Sequence, residues 1–276
     1  FMSSTRITNF MENAKKFKKW PKKDKQPKVK KLKINLFGYH AVEAAWINPK
    51  RIIKTLYVTE KSAENFQSFI EKHASLGLKR PAPTIVSRRE LDKTLGQDTV
   101  HQNIAINAEE LPERNAMDLI ISEKKNERST FVILDQVTDP HNVGAIMRSA
   151  AAFGLAGMVL QNRFAPDISG VLAKVACGAV EHLPVATEVN LSRAIETFKE
   201  HGYRCVALDE RGEETIAQAV KGSKKTVLVM GAEGPGLRPS VRDACSKIAR
   251  LEMHGALPSI NVSNAAAISF YAATST

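Results

Sequence analysis

The chain has 276 residues, 43% of them hydrophobic and 25% charged, with a formal net charge of +11 at pH 7. That length gives room for two modest domains around at least one sizeable core. No apolar run approaches the roughly 18 residues of a membrane span, and no apolar secretory segment stands near the N-terminus, so a soluble, cytoplasmic protein is expected.

The three cysteines, Cys177, Cys205 and Cys245, are too few and too far apart for a disulfide framework and lack zinc spacing. They are read as packed core thiols in a reducing compartment, and no metal is expected. The charge is unevenly spread: residues 1–33 carry a net +10, leaving only +1 for the other 243. The Lys-rich, aromatic-poor tract from Lys15 to Lys33 cannot bury enough surface to order itself. It is read as a disordered basic tail that adds sequence-independent attraction to nucleic-acid phosphates.

In chain order, residues 34–108 then predict a small α/β domain: a helix over 40–47, a strand at 54–59, a helix over 62–75, a strand at 84–87, a short helix opening at 89–91 and a strand near 103–108. Residues 109–128, rich in Glu, Lys, Arg and Asn, read as a linker with a short helix at its centre. The second domain, 129–276, opens with the apolar run FVILDQV at 131–137, as expected of a buried parallel strand. Helices over 143–153, 169–180, 191–201 and 239–246 alternate with strands at 157–161, 183–186, 204–209, 226–231 and 248–253. A last helix starts at about Asn264. This pattern predicts an α/β parallel sheet covered on both faces.

Three strand-to-helix junctions of this domain carry polar residues among Gly, Pro and Asn. In an α/β sheet, ligands bind outside the carboxyl ends of the strands, so the three suggest one composite site. In the first, Asp139-Pro140 turns the chain, Asn142 suits a helix N-cap, and Arg148 stands on a helix of small residues. Pairing of Arg148 with a nearby acid is the plainer alternative. In the second, Gly231, Gly234 and Gly236 surround Glu233, which reads as a site residue, although such a loop is equally an ordinary tight turn. The third runs from Gly255 to Asn264. If extended, it points Ser259, Asn261 and Ser263 the same way; otherwise these are turn and cap residues.

These residues resemble the signature motifs of the SpoU (TrmH-type) family of SPOUT methyltransferases. Asn142 and Arg148 match the first motif, Gly231 to Leu237 the second, and Ser259 to Ser263 the third. FGYHAVEAA at 37–45 and VHQNIA at 100–105 resemble the L30e-like RNA-binding domain of the family's guanosine-directed ribosomal RNA members. Two positions depart from the pattern: Glu252 replaces the proline before Met253, and Pro258 directly precedes Ser259.

The resemblance implies a catalytic domain whose parallel sheet is tied in a trefoil knot, behind a smaller L30e-like α/β domain, in a homodimer with its site near the interface. It implies transfer of a methyl group from S-adenosylmethionine to a ribose 2′-hydroxyl of RNA. Met230, Gly231, Gly236, Leu251, Met253, Ile260, Ser263 and Asn264 would hold the cofactor, and Asn142, Arg148, Glu233, Ser259 and Asn261 would carry catalysis. Arg148 is assigned to the reacting hydroxyl. A guanidinium keeps its proton, with a pKa above about 12, so clamping a phosphate or orienting the hydroxyl asks less of it than acting as a base. Asn142 and Glu233 would orient Arg148 and the ribose.

The expected substrate is a guanosine of large-subunit ribosomal RNA. Transfer RNA is the rival substrate, and a non-catalytic RNA-binding or ribosome-assembly factor the rival class. A nucleotide-binding oxidoreductase is disfavoured because the G-x-G-x-x-G fingerprint is missing.

Overall fold

The computed structural model describes residues 31–163, 165–168, 170–257 and 259–275. The basic tail expected over 1–33 lies, up to residue 30, outside the described residues, as does Pro258. The chain divides into two compact units between Glu109 and Glu110.

The first unit is a four-stranded sheet in the order β1-β4-β2-β3, from β1 (Leu36–Phe37), β2 (Ile53–Val58), β3 (Pro83–Ile85) and β4 (Ile104–Ala108). Helices α1 (Tyr39–Ile47), α2 (Glu60–Lys72) and α3 (Arg88–Leu95) accompany it. Local sequence sets the helix starts. Thr59 with Ser62, and Ser87 with Glu90, form reciprocal capping boxes that satisfy first-turn amides. Phe66 of α2 is buried edge-to-face against Trp46 of α1. Arg80 closes the far end of α1, its Nε donating to the Trp46 carbonyl at 2.6 Å and Nη2 to that of Asn48 at 2.7 Å. The two segments singled out in the sequence meet here: β1 pairs with β4, and Gln102 Oε1 accepts from the Tyr39 amide at 2.8 Å. His101 is buried between them; its Nδ1 accepts from the Asn103 amide, so Nε2–H donates to Asp92 at 2.9 Å.

In the second unit, α4 (Ala116–Ser122) and β5 (Ser129–Asp135) lead into α5 (Pro140–Ala152), β6 (Gly157–Gln161), α6 (Gly170–Val175), β7 (Val185–Glu188) and α7 (Leu191–Glu200). The chain continues through β8 (Arg204–Leu208), β9 (Glu214–Thr215), α8 (Ile216–Val220), β10 (Lys225–Gly231), α9 (Pro239–Asp243), β11 (Lys247–Arg250) and α10 (Val262–Thr274). The seven strands lie parallel in the order β7-β6-β5-β10-β8-β11-β9. Alternate residues face opposite sides, so Phe131, Ile133, Val227 and Val229 join one buried cluster with residues of α4, α7 and α9. On the other face α10 packs against α5, α8 and β10, burying Ile146, Ala266 and Phe270.

The segment read as a linker is built into this unit. Ala116, Leu119 and Ile120 of α4 are buried in its core, and the Ala116 amide donates to Glu188 Oε1 at 2.7 Å. Its charged exterior hid a short apolar stripe. Cys177 also differs from its expected place: it is exposed, at a positive φ of 49° between α6 and the following turn. Cys205 and Cys245 are packed as expected. Burial pushes both thiols up, Cys245 to about 12, which favours their protonated form. No helix among the described residues is long and apolar enough to cross a membrane. Also among them, no group of His, Cys, Asp and Glu is placed to hold a metal ion.

Candidate active site

From β5 the chain moves outward through β6 and β7, then returns beyond it to β8, and β10 fills the gap. Such a reversal of strand order opens a crevice at the carboxyl ends of the strands. The in-register pairing of Gly231 with Asp135 sets the first two junctions side by side. Packing of α10 on α5 and β10 brings in the third.

There the three junctions are hydrogen-bonded to one another. Glu233 Oε1 accepts from Asn261 Nδ2 at 2.6 Å, from Asn142 Nδ2 at 3.3 Å and from the Val262 amide at 3.3 Å. Asn261 Nδ2 also donates to Asn142 Oδ1 at 3.0 Å, while its Oδ1 accepts from the amide and hydroxyl of Ser263. A carboxylate oxygen taking three donors is a strong, geometrically fixed acceptor. Glu233 is exposed and its Oε2 has no partner among the described residues, which leaves this oxygen open to solvent.

Local sequence explains the arrangement. The N-cap of α5 is Asp139, whose side chain accepts from the His141 amide at 3.0 Å, with Pro140 at the first helical position. Asn142, expected as the cap, is therefore freed to reach Glu233. Asn261 caps α10, and Ser263 lies inside that helix rather than on an extended segment. Of the two readings of Ser259, Asn261 and Ser263, the extended one does not hold because the helix begins between them, and Asn261 is a cap residue as the other reading had it.

The glycine loop is closed on itself. Gly236 N donates to the Ala232 carbonyl at 3.0 Å, and a Cβ on Gly231 would stand 2.2 Å from the Gly236 carbonyl carbon. Only glycine fits at 231. Gly144 on α5 is similarly tight, because the Leu172 carbonyl of α6 would meet its Cβ at 2.9 Å.

The structure also brings in a pair that the motifs did not single out. Asp135, at 0% exposure, accepts from the Arg238 backbone amide at 3.0 Å and from Nε at 2.9 Å, and its Oδ1 pairs with Nη2 at 2.7 Å. It ties the last residue of β5 to the residue just after the glycine loop, and Gln136 follows it at a strained positive φ of 59°. An Asp ending a buried apolar strand needs a cationic partner, but only the pairing of β5 with β10 shows that Arg238 is the one.

Arg148 and Ser259 are not drawn into the cluster; both are exposed. Six residues at 100° each turn Arg148 roughly 120° away from Asn142 around α5 and carry it about 9 Å along the axis. The Arg148 side chain makes no hydrogen bond or ion pair among the described residues.

S-adenosylmethionine fits the remaining residues. Between Glu252 and Ile260 no backbone amide is bonded within the protein among the described residues, and Met253 and Ile260 are each 37% exposed. Free backbone amides with apolar side chains suit the edge and faces of an adenine ring. Leu251 and Gly236 are half-buried, Met230 is buried and Asn264 exposed around the same edge. Arg250 roots this loop, its Nη1 donating to the carbonyls of Gly212 and Glu213 at 2.7 and 2.6 Å.

Comparison with known proteins agrees with this geometry. Residues 129–271 match the SpoU rRNA Methylase family, and residues 36–114 match the RNA 2′-O ribose methyltransferase substrate-binding domain. A 23S rRNA (guanosine-2′-O-)-methyltransferase RlmB of Coxiella burnetii is 36% identical over 240 residues, covering 86% of this chain and 93% of its own. The protein of the same name from Bordetella pertussis is 33% identical over 237 residues, covering 86% and 94%. Among solved structures, the SpoU methyltransferase AviRb of Streptomyces viridochromogenes in complex with AdoMet shares the fold with a TM-score of 0.72 at 21% identity, over 87% of this chain and 89% of its own. An AdoMet-bound rRNA methyltransferase of Sinorhizobium meliloti shares it with a TM-score of 0.68 at 24% identity, over 87% and 86%. The matched residues, the shared fold and the joined junctions lead to one conclusion: this chain belongs to the SpoU rRNA methylase family.

Proposed function

We propose that this S-adenosylmethionine-dependent RNA 2′-O-ribose methyltransferase modifies a guanosine of large-subunit ribosomal RNA, as a cytoplasmic homodimer carrying the family's trefoil knot. The observation that supports this most is the Asn142–Glu233–Asn261 cluster, which joins the three junctions and leaves one carboxylate oxygen of the exposed Glu233 without a partner among the described residues. Relatives named for ribosomal RNA guanosine match this chain over nearly their whole length, including the substrate-binding domain.

When bound, S-adenosylmethionine supplies a methyl group activated by its sulfonium. The chain holds the ribose in line with it: Glu233 Oε2 accepts from a ribose hydroxyl, and Asn142 and Asn261 hold Glu233 still. Arg148 clamps a phosphate next to the target nucleotide. Such positioning alone can supply much of the rate. Ser259 borders the cofactor loop and contacts substrate.

Radiolabelled S-adenosylmethionine offered with separate unmodified ribosomal and transfer RNA pools is expected to label the large ribosomal RNA alone. Label in transfer RNA would move the substrate, and label in neither pool despite RNA binding would favour an assembly factor.

The dimer is drawn from a bare apolar strip along α5 and α10. Ile268 is 49% and Tyr271 63% exposed, and Tyr271 packs edge-to-face on Phe153, itself 36% exposed. The double variant Ile268→Asp/Tyr271→Asp is expected to run as a monomer in light scattering behind a sizing column. A dimer of unchanged affinity would place the interface elsewhere.

A further inference from the structure

The edge of the seven-stranded sheet opposite the candidate site gathers cationic charge. β10 opens with Lys225 paired to Ser129 of β5, and its next residue, Thr226, pairs with Arg204 of β8. The Ser129 amide donates to the Lys224 carbonyl at 3.0 Å, and Arg204 Nη1 donates to the carbonyls of Ala219 and Lys221 at 3.1 and 3.0 Å. These bonds fix residues 123–128, Arg204 and 221–225 as one rim. These segments hold five lysines and two arginines against Glu123 and Glu127, a net +5, while the rest of residues 110–276 holds eleven cations against seventeen carboxylates, a net −6. The second unit is thus nearly neutral overall and strongly polarised.

Part of this charge has a structural use. Arg204 satisfies carbonyls at the end of α8, and Lys225 Nζ lies 5.3 Å from the centre of the Tyr203 ring. Lysines after α4 and α8 also complement the carbonyl ends of those helices. Lys124, Lys125, Lys221 and Lys224 nevertheless stay exposed. The 3.1 Å pair of Lys224 with Glu127 joins groups 66% and 83% exposed, a kind of contact that adds little stability.

We propose that this rim is a second RNA-contacting surface that grips phosphates remote from the modified nucleotide. The proposal rests on the RNA-substrate reading above and deepens it by setting a reach. β5 alone separates the two edges by seven residues, about 20 Å at ~3.3 Å each. Only an RNA long or folded enough to span the unit touches both, and rim contacts carry no sequence information.

The test uses the full chain with Lys124, Lys125, Lys221 and Lys224 all changed to Gln, and a companion with all four changed to Arg. Binding to a long ribosomal RNA transcript is followed across a salt series. Methyl transfer is measured on that transcript and on a short hairpin cut from it. Loss of four phosphate contacts is expected to flatten the log–log salt slope by about 3. The KM for the long transcript should rise at least about tenfold with kcat unchanged, the hairpin should be unaffected, and the Arg companion should behave as wild type. An unchanged slope, or equal losses on transcript and hairpin, would overturn the proposal. Absence of transfer by the wild-type chain to any RNA would count against the enzyme reading instead, and the slope would still report on the rim.

Discussion

Replacing Arg148 with alanine is expected to lower methyl transfer by about a thousandfold or more while leaving S-adenosylmethionine affinity within a factor of two or so. The side chain stands exposed on α5 with no internal partner among the described residues, so its removal breaks nothing that holds the fold together. A guanidinium without an internal partner, less than two turns along the helix that carries Asn142 of the Glu233 cluster, is placed for a contact with the RNA. Because the fork of Arg grips a phosphate with two parallel bonds, Arg148→Lys should recover only part of the loss. Single-turnover transfer with saturating cofactor, beside calorimetric binding of S-adenosylmethionine, separates the two effects. Wild-type turnover in the alanine variant would remove Arg148 from the mechanism.

Asp135→Asn should produce the largest loss of stability of any single substitution at the site. The native carboxylate is fully buried, accepts two hydrogen bonds from Arg238 and is ion-paired with its guanidinium. An amide cannot replace both oxygens as acceptors, and it turns two donors of its own toward an arginine. Removing one partner of a buried pair costs about 3–5 kcal/mol, which for a unit of this size lowers the melting temperature by about 10 °C. Arg238→Met combined with Asp135→Leu should cost less than Asp135→Asn alone, since neither partner is then left buried and unpaired. Thermal denaturation followed by circular dichroism decides the matter, and a shift of a degree or two would mean that the pair is dispensable.

The β5 and β10 strands were readable because a parallel strand buried on both faces must be apolar throughout, as FVIL and VLVM are. Glu233 was readable because a carboxylate among glycines after such a strand has no packing role. What escaped the sequence was whatever depended on partners far along the chain. Asp135 and Arg238 each looked ordinary until the pairing of β5 with β10 made them neighbours. The same holds for α4, whose three buried residues gain meaning only against the sheet. Strands β1 and β9, two residues each, are too short to carry any periodicity. At the start of α5, two residues competed for one cap. Asp139 won because Pro140 behind it is already set for the first helical turn, which left Asn142 for chemistry.

The Asn142–Glu233–Asn261 lock has a bearing on how the chain matures. Its members are separated by 91, 28 and 119 positions, so none of its bonds can form as local structure does. Closing such distant contacts comes late, after the sheet has set their spacing. A growing chain folds from its N-terminus as synthesis proceeds. Residues 36–114 can therefore complete their sheet and meet RNA while β11 and α10 have yet to emerge. Glu233 gains its full set of donors only once Asn261 and Val262, 28 and 29 positions further on, have been made. On the function proposed above, the unit matched to substrate binding is complete before this carboxylate is steadied.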